Sequence, residues 1–145
     1  MNELLKLTGI TGEIDSLFHE AAYRLGQSDS AMTTLCMLYS HDGKCDISEI
    51  CRHSGLRKQT LNSTLRKMED NGLIRLERKD SRNKTVILTD KGNAEAERSA
   101  GRLFRSETDI TKEFSADELE LYLMLSQRFL DRFRTLVNQL PERET

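Results

Sequence analysis

Apolar residues near the N-terminus recur at the three- and four-residue spacing of an amphipathic helix. This stripe consists of Leu7, Ile10, Ile14, Leu17, Phe18, Ala21 and Leu25. It predicts a first helix over about residues 11–25, with Gly26 as its C-cap. A second helix, capped by Asp29 or Ser30, is predicted from about Ala31 to His41. Its apolar residues lie nearly all round, which is typical of a buried helix.

The pattern after residue 45 predicts two further helices separated by a turn. The segment Asp46–Glu49 has the acceptor-x-x-Glu form of a capping box and opens a short helix to about His53. Gly55 lies at the turn, and the next helix spans about Arg57 to Asp70 before Asn71-Gly72 ends it. The residues that this helix is expected to bury are Leu61, Leu65 and Met68.

Two short segments with strand periodicity follow, joined by a polar loop. Ile74 and Leu76 alternate with charged residues, and Thr85–Leu88 is apolar and β-branched. One long helix is predicted over about Lys91 to Lys112, and another begins at the capping box Ser115–Glu118. We therefore expect a mainly α fold of the α+β kind, a winged helix-turn-helix with a two-stranded β-wing and long N- and C-terminal helices.

Length and composition indicate one domain of 145 residues. One proline permits long helices, no apolar run reaches the roughly 20 residues of a membrane span, and the N-terminus lacks the features of a secretory signal. Three cysteines without the spacing of a disulfide framework favour a reducing compartment. We expect a cytoplasmic protein that binds no membrane.

Charge is distributed unevenly along the chain. The net charge is −2, but residues 52–84 hold ten basic and four acidic residues, which makes this segment +6 and the remainder −8. Such a segment favours a polyanionic partner. Because the helix-turn-helix pattern lies within it, double-stranded DNA is the expected partner.

The predicted wing carries a spaced motif. Asp80-Ser81-Arg82 is followed, after five residues, by Leu88-Thr89-Asp90-Lys91-Gly92, and the segment Met68–Ile74 reads M-E-D-N-G-L-I. This D-x-R-x5-L-T-x-x-G pattern, with a junction similar to L-E-x-x-G-L-I, resembles the MarR/SlyA family of bacterial winged-helix transcription regulators. The resemblance covers essentially the whole chain. It implies a single MarR-like domain over 1–145, with a DNA-binding lobe at about 31–89 and a helical dimerisation region at about 1–25 and 90–145.

The second helix of the helix-turn-helix carries candidate DNA-reading side chains. Those that lie off its apolar face are Arg57, Lys58, Gln59, Thr60, Asn62, Ser63 and Arg66. Asn and Gln can pair with adenine, and Arg with guanine. Many members of the family have arginine where this chain has Ser63, so Gln59, Asn62 and Arg66 are the better candidates for base contacts. Ordinary solvated residues are the alternative for any one of them.

The wing supplies the other candidate contacts. In the family the wing arginine enters the minor groove, and Arg82 matches it. Asp80 is expected to brace the Arg82 guanidinium, and a surface ion pair without function is the alternative. The lysines expected to contact phosphates are Lys58, Lys67, Lys79 and Lys84.

The last helix carries more large apolar residues than one amphipathic stripe needs. They are Phe129, Leu130, Phe133, Leu136, Val137 and Leu140. We expect this helix and the first one to pack against a second subunit, as in the family, and packing of the two against each other is the alternative. A homodimer would place two recognition helices about 34 Å apart and predicts a pseudo-palindromic operator.

Every cysteine and two of the three histidines fall between residues 36 and 53. No metal site is expected, because the spacing matches no paired C-x-x-C or H-x3-H pattern and Cys36 and Cys51 lie on apolar faces. A redox switch needs an exposed, activated thiolate. Cys45, expected in a loop beside Lys44, is the candidate.

Together these patterns predict a transcription regulator that acts as a repressor. They do not predict an enzyme. No nucleophile elbow, P-loop, dinucleotide fingerprint or zincin motif is present, and no cofactor is expected. Many members of the family bind small molecules, which implies release from DNA by an unidentified small effector. The alternatives are a thiol-based redox-sensing regulator and a winged-helix module that binds proteins.

Overall fold

The computed structural model describes residues 2–143, and it divides into two compact units, one up to Arg105 and one from Ser106 onwards. Seven α-helices, one π-helical turn and three strands follow one another along these residues. Their bounds are α1 Glu3–Arg24, α2 Asp29–Ser40, β1 Lys44–Asp46, α3 Ile47–Ser54, α4 Lys58–Asp70, β2 Ile74–Arg78, β3 Lys84–Leu88, α5 Asp90–Ala96, the π turn Glu97–Gly101, α6 Arg102–Thr111 and α7 Ala116–Asn138. The expected mainly α winged helix-turn-helix is confirmed.

The first helix begins eight residues earlier than its apolar stripe predicts. Asn2 is its N-cap and accepts a hydrogen bond from the backbone N–H of Leu4 at 2.9 Å. Gly9 and Gly12 lie inside the helix, where glycine costs stability without breaking the hydrogen-bond pattern. The second helix is capped by Ser28, not by Asp29 or Ser30, because the Ser28 hydroxyl accepts the N–H of Ala31.

The wing is the antiparallel pair β2 and β3, and a third strand, β1, adds to its other edge. The expectation of a loop before α3 was therefore wrong at this point. Asp42 and Gly43 take left-handed backbone conformations, with φ of 53° and 84°, and turn the chain back after α2. Cys45 lies opposite Val86 on β3, and β1 pairs with β3 over three residues. This pairing connects the wing to the segment just before α3.

The core of the first unit joins the helix-turn-helix to the sheet. Leu35 and Leu38 of α2, Ile50 of α3, Leu61 of α4 and Val86 of β3 are all fully buried. Apolar residues of this kind contribute about 1.5–3 kcal/mol each on burial. The core therefore fixes the orientation of α4, the helix expected to read DNA, relative to the wing.

The long helix expected over about Lys91 to Lys112 is interrupted by the π turn Glu97–Gly101. The buried residues of this turn are small, namely Ser99, Ala100 and Gly101, and the turn packs against α2. Small side chains let the wider turn approach its neighbour closely, which explains a π turn that helical periodicity does not predict.

The second unit contains α7, whose predicted capping box is confirmed. The Ser115 hydroxyl accepts the N–H of Glu118, and the Glu118 carboxylate accepts the N–H of Ser115. The apolar stripe of α7 runs from Phe129 to Leu140, which lies just after the helix ends, and its residues are 39–66% exposed in this chain. No helix within residues 2–143 is long and apolar enough to cross a membrane.

Candidate nucleic-acid interface

The fourth helix buries one face and exposes another that is basic and polar. Leu61, Thr64, Leu65 and Met68 face the core. Every candidate DNA-reading residue of this helix is exposed: Arg57, Lys58, Gln59, Thr60, Asn62, Ser63 and Arg66. Arg57 is the N-cap residue, one position before the helix begins.

A cleft of about 720 Å³ lies between α3, α4 and the wing. The candidate residues that line it are Lys58, Asn62, Arg66, Asp80, Arg82 and Lys84. Arg57, Gln59, Thr60, Ser63 and Lys79 lie outside its lining. The structure thus brings three α4 side chains to the same concave surface as the wing arginine, although about 20 residues separate them in sequence.

The tip of the wing is organised by Asp80 in a way that differs from the expected brace. One carboxylate oxygen of Asp80 accepts the backbone N–H groups of Arg82 and Asn83, each at 2.8 Å. An Asp side chain bonds its own backbone two or three residues on more readily than a distant guanidinium. Asp80 therefore shapes the main chain that carries Arg82, and the Arg82 side chain is exposed.

Asp46 also differs from its expected role. It occupies the N-cap position of α3 but makes no capping hydrogen bond. Its carboxylate instead accepts a hydrogen bond from the Lys79 ammonium at 2.6 Å and one from the Thr85 hydroxyl at 2.8 Å. These bonds, with that of Lys79 foremost, lower the pKa of Asp46, and the same contact raises the pKa of Lys79. Lys79 thus ties the wing to the start of α3, which leaves it less available to a phosphate than expected.

Several cleft residues were not among the sequence candidates, and three of them are polar or basic side chains of note. Ser48 and Asn83 meet across the cleft, where the Asn83 amide donates to the Ser48 hydroxyl at 3.2 Å. Arg78, on β2, adds a third basic group of the wing. The strand alternation around Arg78 was a usable signal, but nothing in the spacing of Ser48 and Asn83 predicts their contact.

The second half of the wing motif is structural. The Thr89 hydroxyl accepts the N–H of Gly92 at 3.0 Å as the N-cap of α5, and it donates to the carbonyl of Gly72 at 2.6 Å. A Cβ atom on Gly92 would lie 1.8 Å from the carbonyl oxygen of Leu73. Thr89 and Gly92 of the L-T-x-x-G pattern therefore hold the start of α5 close to the turn that ends α4.

Cys45 is not the exposed thiolate that the sequence suggested. Its side chain is buried, at 3% exposure, because β1 pairs with the wing and turns it toward the core. Burial, followed by the neighbouring Glu49 carboxylate, raises the pKa of the thiol to about 11. A protonated, buried thiol reacts slowly with peroxide, so the expectation of an exposed, activated thiolate at Cys45 was wrong.

Comparison with known proteins supports the same fold. Residues 20–83 match the model of the MarR family. A MarR family regulator from Neisseria meningitidis superposes with a TM-score of 0.85 at 18% identity, covering 96% of this chain and 99% of that one. No curated protein sequence matches the chain.

Two further solved structures are similar over nearly their whole length. The MepR–DNA complex from S. aureus has a TM-score of 0.68 at 20% identity and covers 92% of this chain and 98% of that one. The PcaV regulator from Streptomyces coelicolor, in complex with its natural ligand, has a TM-score of 0.66 at 20% identity, with 90% and 96% covered. The MarR family model therefore covers the helix-turn-helix segment and the first strand and loop of the wing, and the solved structures share the winged-helix fold of the described chain.

Proposed function

We propose that this regulator is a repressor that binds a pseudo-palindromic operator as a homodimer. The observation that carries the proposal is the shared cleft, where polar and basic side chains of α4 and the wing arginine Arg82 face the same concave surface. A duplex whose major groove accepts α4 would have a neighbouring minor groove within reach of the wing.

Each candidate residue takes the role that its chemistry suits. Asn62 and Gln59 pair with adenine, and Arg66 pairs with guanine through its planar fork. Arg82 enters the minor groove, where narrow A·T-rich sequences concentrate negative potential. The remaining contacts, which fix register on the phosphates, are those of Arg57, Lys58, Thr60, Ser63, Lys67 and Lys84.

The homodimer is supported by apolar surface that each unit exposes. Leu4, Leu5, Leu7, Ile10, Ile14 and Leu17 of α1 are 42–65% exposed in the single chain. The stripe of α7 from Phe129 to Leu140 is exposed to a similar degree. Contiguous apolar patches of this size mark interaction sites. The expected dimerisation region also includes Met1, Glu144 and Thr145, which lie outside the described residues.

Release by a small effector completes the proposal. The similar PcaV regulator is described in complex with its natural ligand. An effector that bound the free dimer better than the DNA-bound dimer would weaken operator binding by its coupling free energy, typically about 1–3 kcal/mol.

Fluorescence-anisotropy binding to DNA from just upstream of the protein's own gene tests this function. We expect tight, salt-sensitive binding that an unrelated duplex of equal length does not compete away. An Asn62→Ala/Arg66→Ala double variant should lose the preference for the upstream duplex while retaining binding to both duplexes. Two results together would contradict sequence-specific recognition. The unaltered protein would bind both duplexes equally, and a random-sequence selection would yield no site that it binds more tightly.

A further inference from the structure

Three side chains of different chemistry meet where α2 ends and α3 begins. His41 follows the last residue of α2, Cys45 lies on β1, and Glu49 lies in the first turn of α3. The left-handed turn at Asp42 and Gly43 folds the chain back between them. One nitrogen of His41, the sulfur of Cys45 and a carboxylate oxygen of Glu49 all lie within 4.8 Å of one another.

Two of the separations between these residues are close to those that a tetrahedral zinc ion imposes on its ligands. The Nε2 atom of His41 is 3.4 Å from one Glu49 oxygen, and the Cys45 sulfur is 3.7 Å from the other. Zinc bonds of about 2.0–2.1 Å to nitrogen and oxygen and 2.3 Å to sulfur put tetrahedral ligand atoms about 3.4–3.6 Å apart. The three residues therefore need little movement to share one ion.

The hydrogen bonds around His41 prepare its ring as a ligand. Its Nδ1 atom is 2.8 Å from the carbonyl oxygen of Met37, which can only accept, so Nδ1 carries the proton. In the neutral ring Nε2 then presents a lone pair toward the Glu49 carboxylate. Two acceptors facing each other repel unless a proton or a metal ion lies between them, and metal-binding histidines commonly donate their other N–H to a carbonyl in this way.

We propose that His41, Cys45 and Glu49 form a binding site for a divalent transition metal of the zinc class. A mixed nitrogen, sulfur and oxygen set suits Zn²⁺ better than Mg²⁺ or Ca²⁺, which prefer oxygen alone. The Cys45 thiol releases its proton to solvent as the metal binds. Water completes the tetrahedral set, since His41 and Glu49 expose 36% and 39% of their side chains and give the ion a path from solvent.

The spacing of histidines and cysteines alone does not predict this cluster, because its third member, Glu49, is expected in a capping box with Asp46. The structure frees Glu49 from that role because Asp46 binds Lys79 and Thr85 instead. The resulting spacing is one ligand every four residues across a helix end, a strand and a helix start.

Titration of the full-length protein with Co²⁺ and Zn²⁺ tests the proposal without reference to DNA. Protein treated with chelator and reductant should bind one Co²⁺ per chain, with a thiolate-to-cobalt charge-transfer band that Zn²⁺ abolishes. His41→Gln and Glu49→Gln, on partly exposed side chains, should weaken Zn²⁺ binding at least about tenfold, and Cys45→Ser should remove the charge-transfer band. The matched controls His19→Gln, Cys36→Ser and Cys51→Ser should bind as the unaltered protein does.

The metal-binding measurements give either support for the proposed site or a result that contradicts it. Stoichiometric binding lost in the three ligand variants and kept in the controls supports the site. Absence of a charge-transfer band in the unaltered protein, or an undiminished Zn²⁺ affinity in both His41→Gln and Glu49→Gln, overturns it. Because these readouts use metal alone, a failure here leaves the proposed DNA-binding function unaffected, and the reverse also holds.

Discussion

At the scale of single residues, the carboxylates at the interface shape the protein rather than contact DNA. Asp80 fixes the main chain of the wing tip through two backbone N–H groups. Asp46 binds Lys79 and Thr85 and so holds the wing against α3. The arginine at the tip is thereby presented on an ordered turn, which would lower the entropy lost in the proposed groove contact.

Replacing Arg82 with alanine should weaken binding to the operator about tenfold or more without changing the thermal unfolding temperature. The side chain is exposed, so its loss removes a DNA contact and no core packing. Anisotropy titration measures the effect. Arg75→Ala is the matched control, because Arg75 has the same charge, lies on β2, and pairs with Glu77 outside the cleft. Equal affinities of the two variants would contradict the role of Arg82.

Cys45 should be the slowest of the three cysteines to react with iodoacetamide at pH 8 in the presence of a chelator. Its thiol is buried with a pKa of about 11, so only about 0.1% is thiolate at that pH. Cys36 and Cys51 are half-buried and serve as internal controls. Peptide mapping by mass spectrometry gives the three rates, and preferential labelling of Cys45 would restore the exposed-thiolate interpretation.

At the scale of secondary-structure elements, Thr89 joins α5 to the turn between α4 and β2. Thr89 caps α5 and bonds the turn between α4 and β2, while its own backbone N–H donates to Leu73 at 3.0 Å. Gly92 leaves the space that this close approach requires. The wing motif thus combines the proposed DNA contact of Arg82 with a structural role for Thr89 and Gly92.

Thr89→Val should lower the free energy of unfolding by about 1–2 kcal/mol, because it removes the N-cap and leaves the Gly72 carbonyl without its donor. Thr89→Ser keeps the hydroxyl and should stay close to the unaltered protein. Urea unfolding at a fixed protein concentration measures both. A loss of the same size in the serine variant would mean that the methyl group, not the hydroxyl, stabilises this junction.

Periodicity predicted α4 because Leu61, Leu65 and Met68, which set it, are buried. The start of α7 was predicted from a local capping box, Ser115 with Glu118, which needs no tertiary contact. The strand β1 and the π turn were missed, since each depends on a partner distant in sequence. The same limit applies to the site: exposure of Asn62 and Arg66 follows from helical spacing, whereas the Asp46–Lys79 pair follows from tertiary packing.

At the scale of the whole molecule, the positive charge of residues 52–84 would govern how the acidic chain meets DNA in the proposed complex. Association of such a surface with a duplex releases counterions, so affinity falls steeply with salt. The slope of log affinity against log salt concentration reports the number of phosphate contacts. Base contacts contribute little to this slope, so the two kinds of contact can be told apart.

The proposed operator complex should weaken about 10³–10⁵-fold between 50 and 200 mM salt, as expected for six to ten phosphate contacts per dimer. Lys84→Gln should reduce the slope of log affinity against log salt by about two, one unit per subunit. Lys112→Gln removes the same charge outside the cleft and should leave the slope unchanged. An unchanged slope in Lys84→Gln would exclude a phosphate contact at that position.

Phe133→Glu should convert the proposed dimer into a monomer, since it puts a charge into the exposed apolar stripe of α7. Thr135→Glu is the matched control, because helical spacing puts Thr135 on the opposite face. Sedimentation equilibrium measures the state of both variants. Dimers of unchanged affinity in Phe133→Glu would show that this stripe lies outside the interface.

The exposed stripes of α1 and α7 have a consequence for how stability is measured. If burying them requires a second chain, unfolding is coupled to dissociation, and mass action makes the denaturation midpoint rise with protein concentration. A dilute sample then loses folded structure at a temperature where a concentrated one keeps it. The amount of regulator present would therefore set both how much operator is occupied and how much of the protein stays folded.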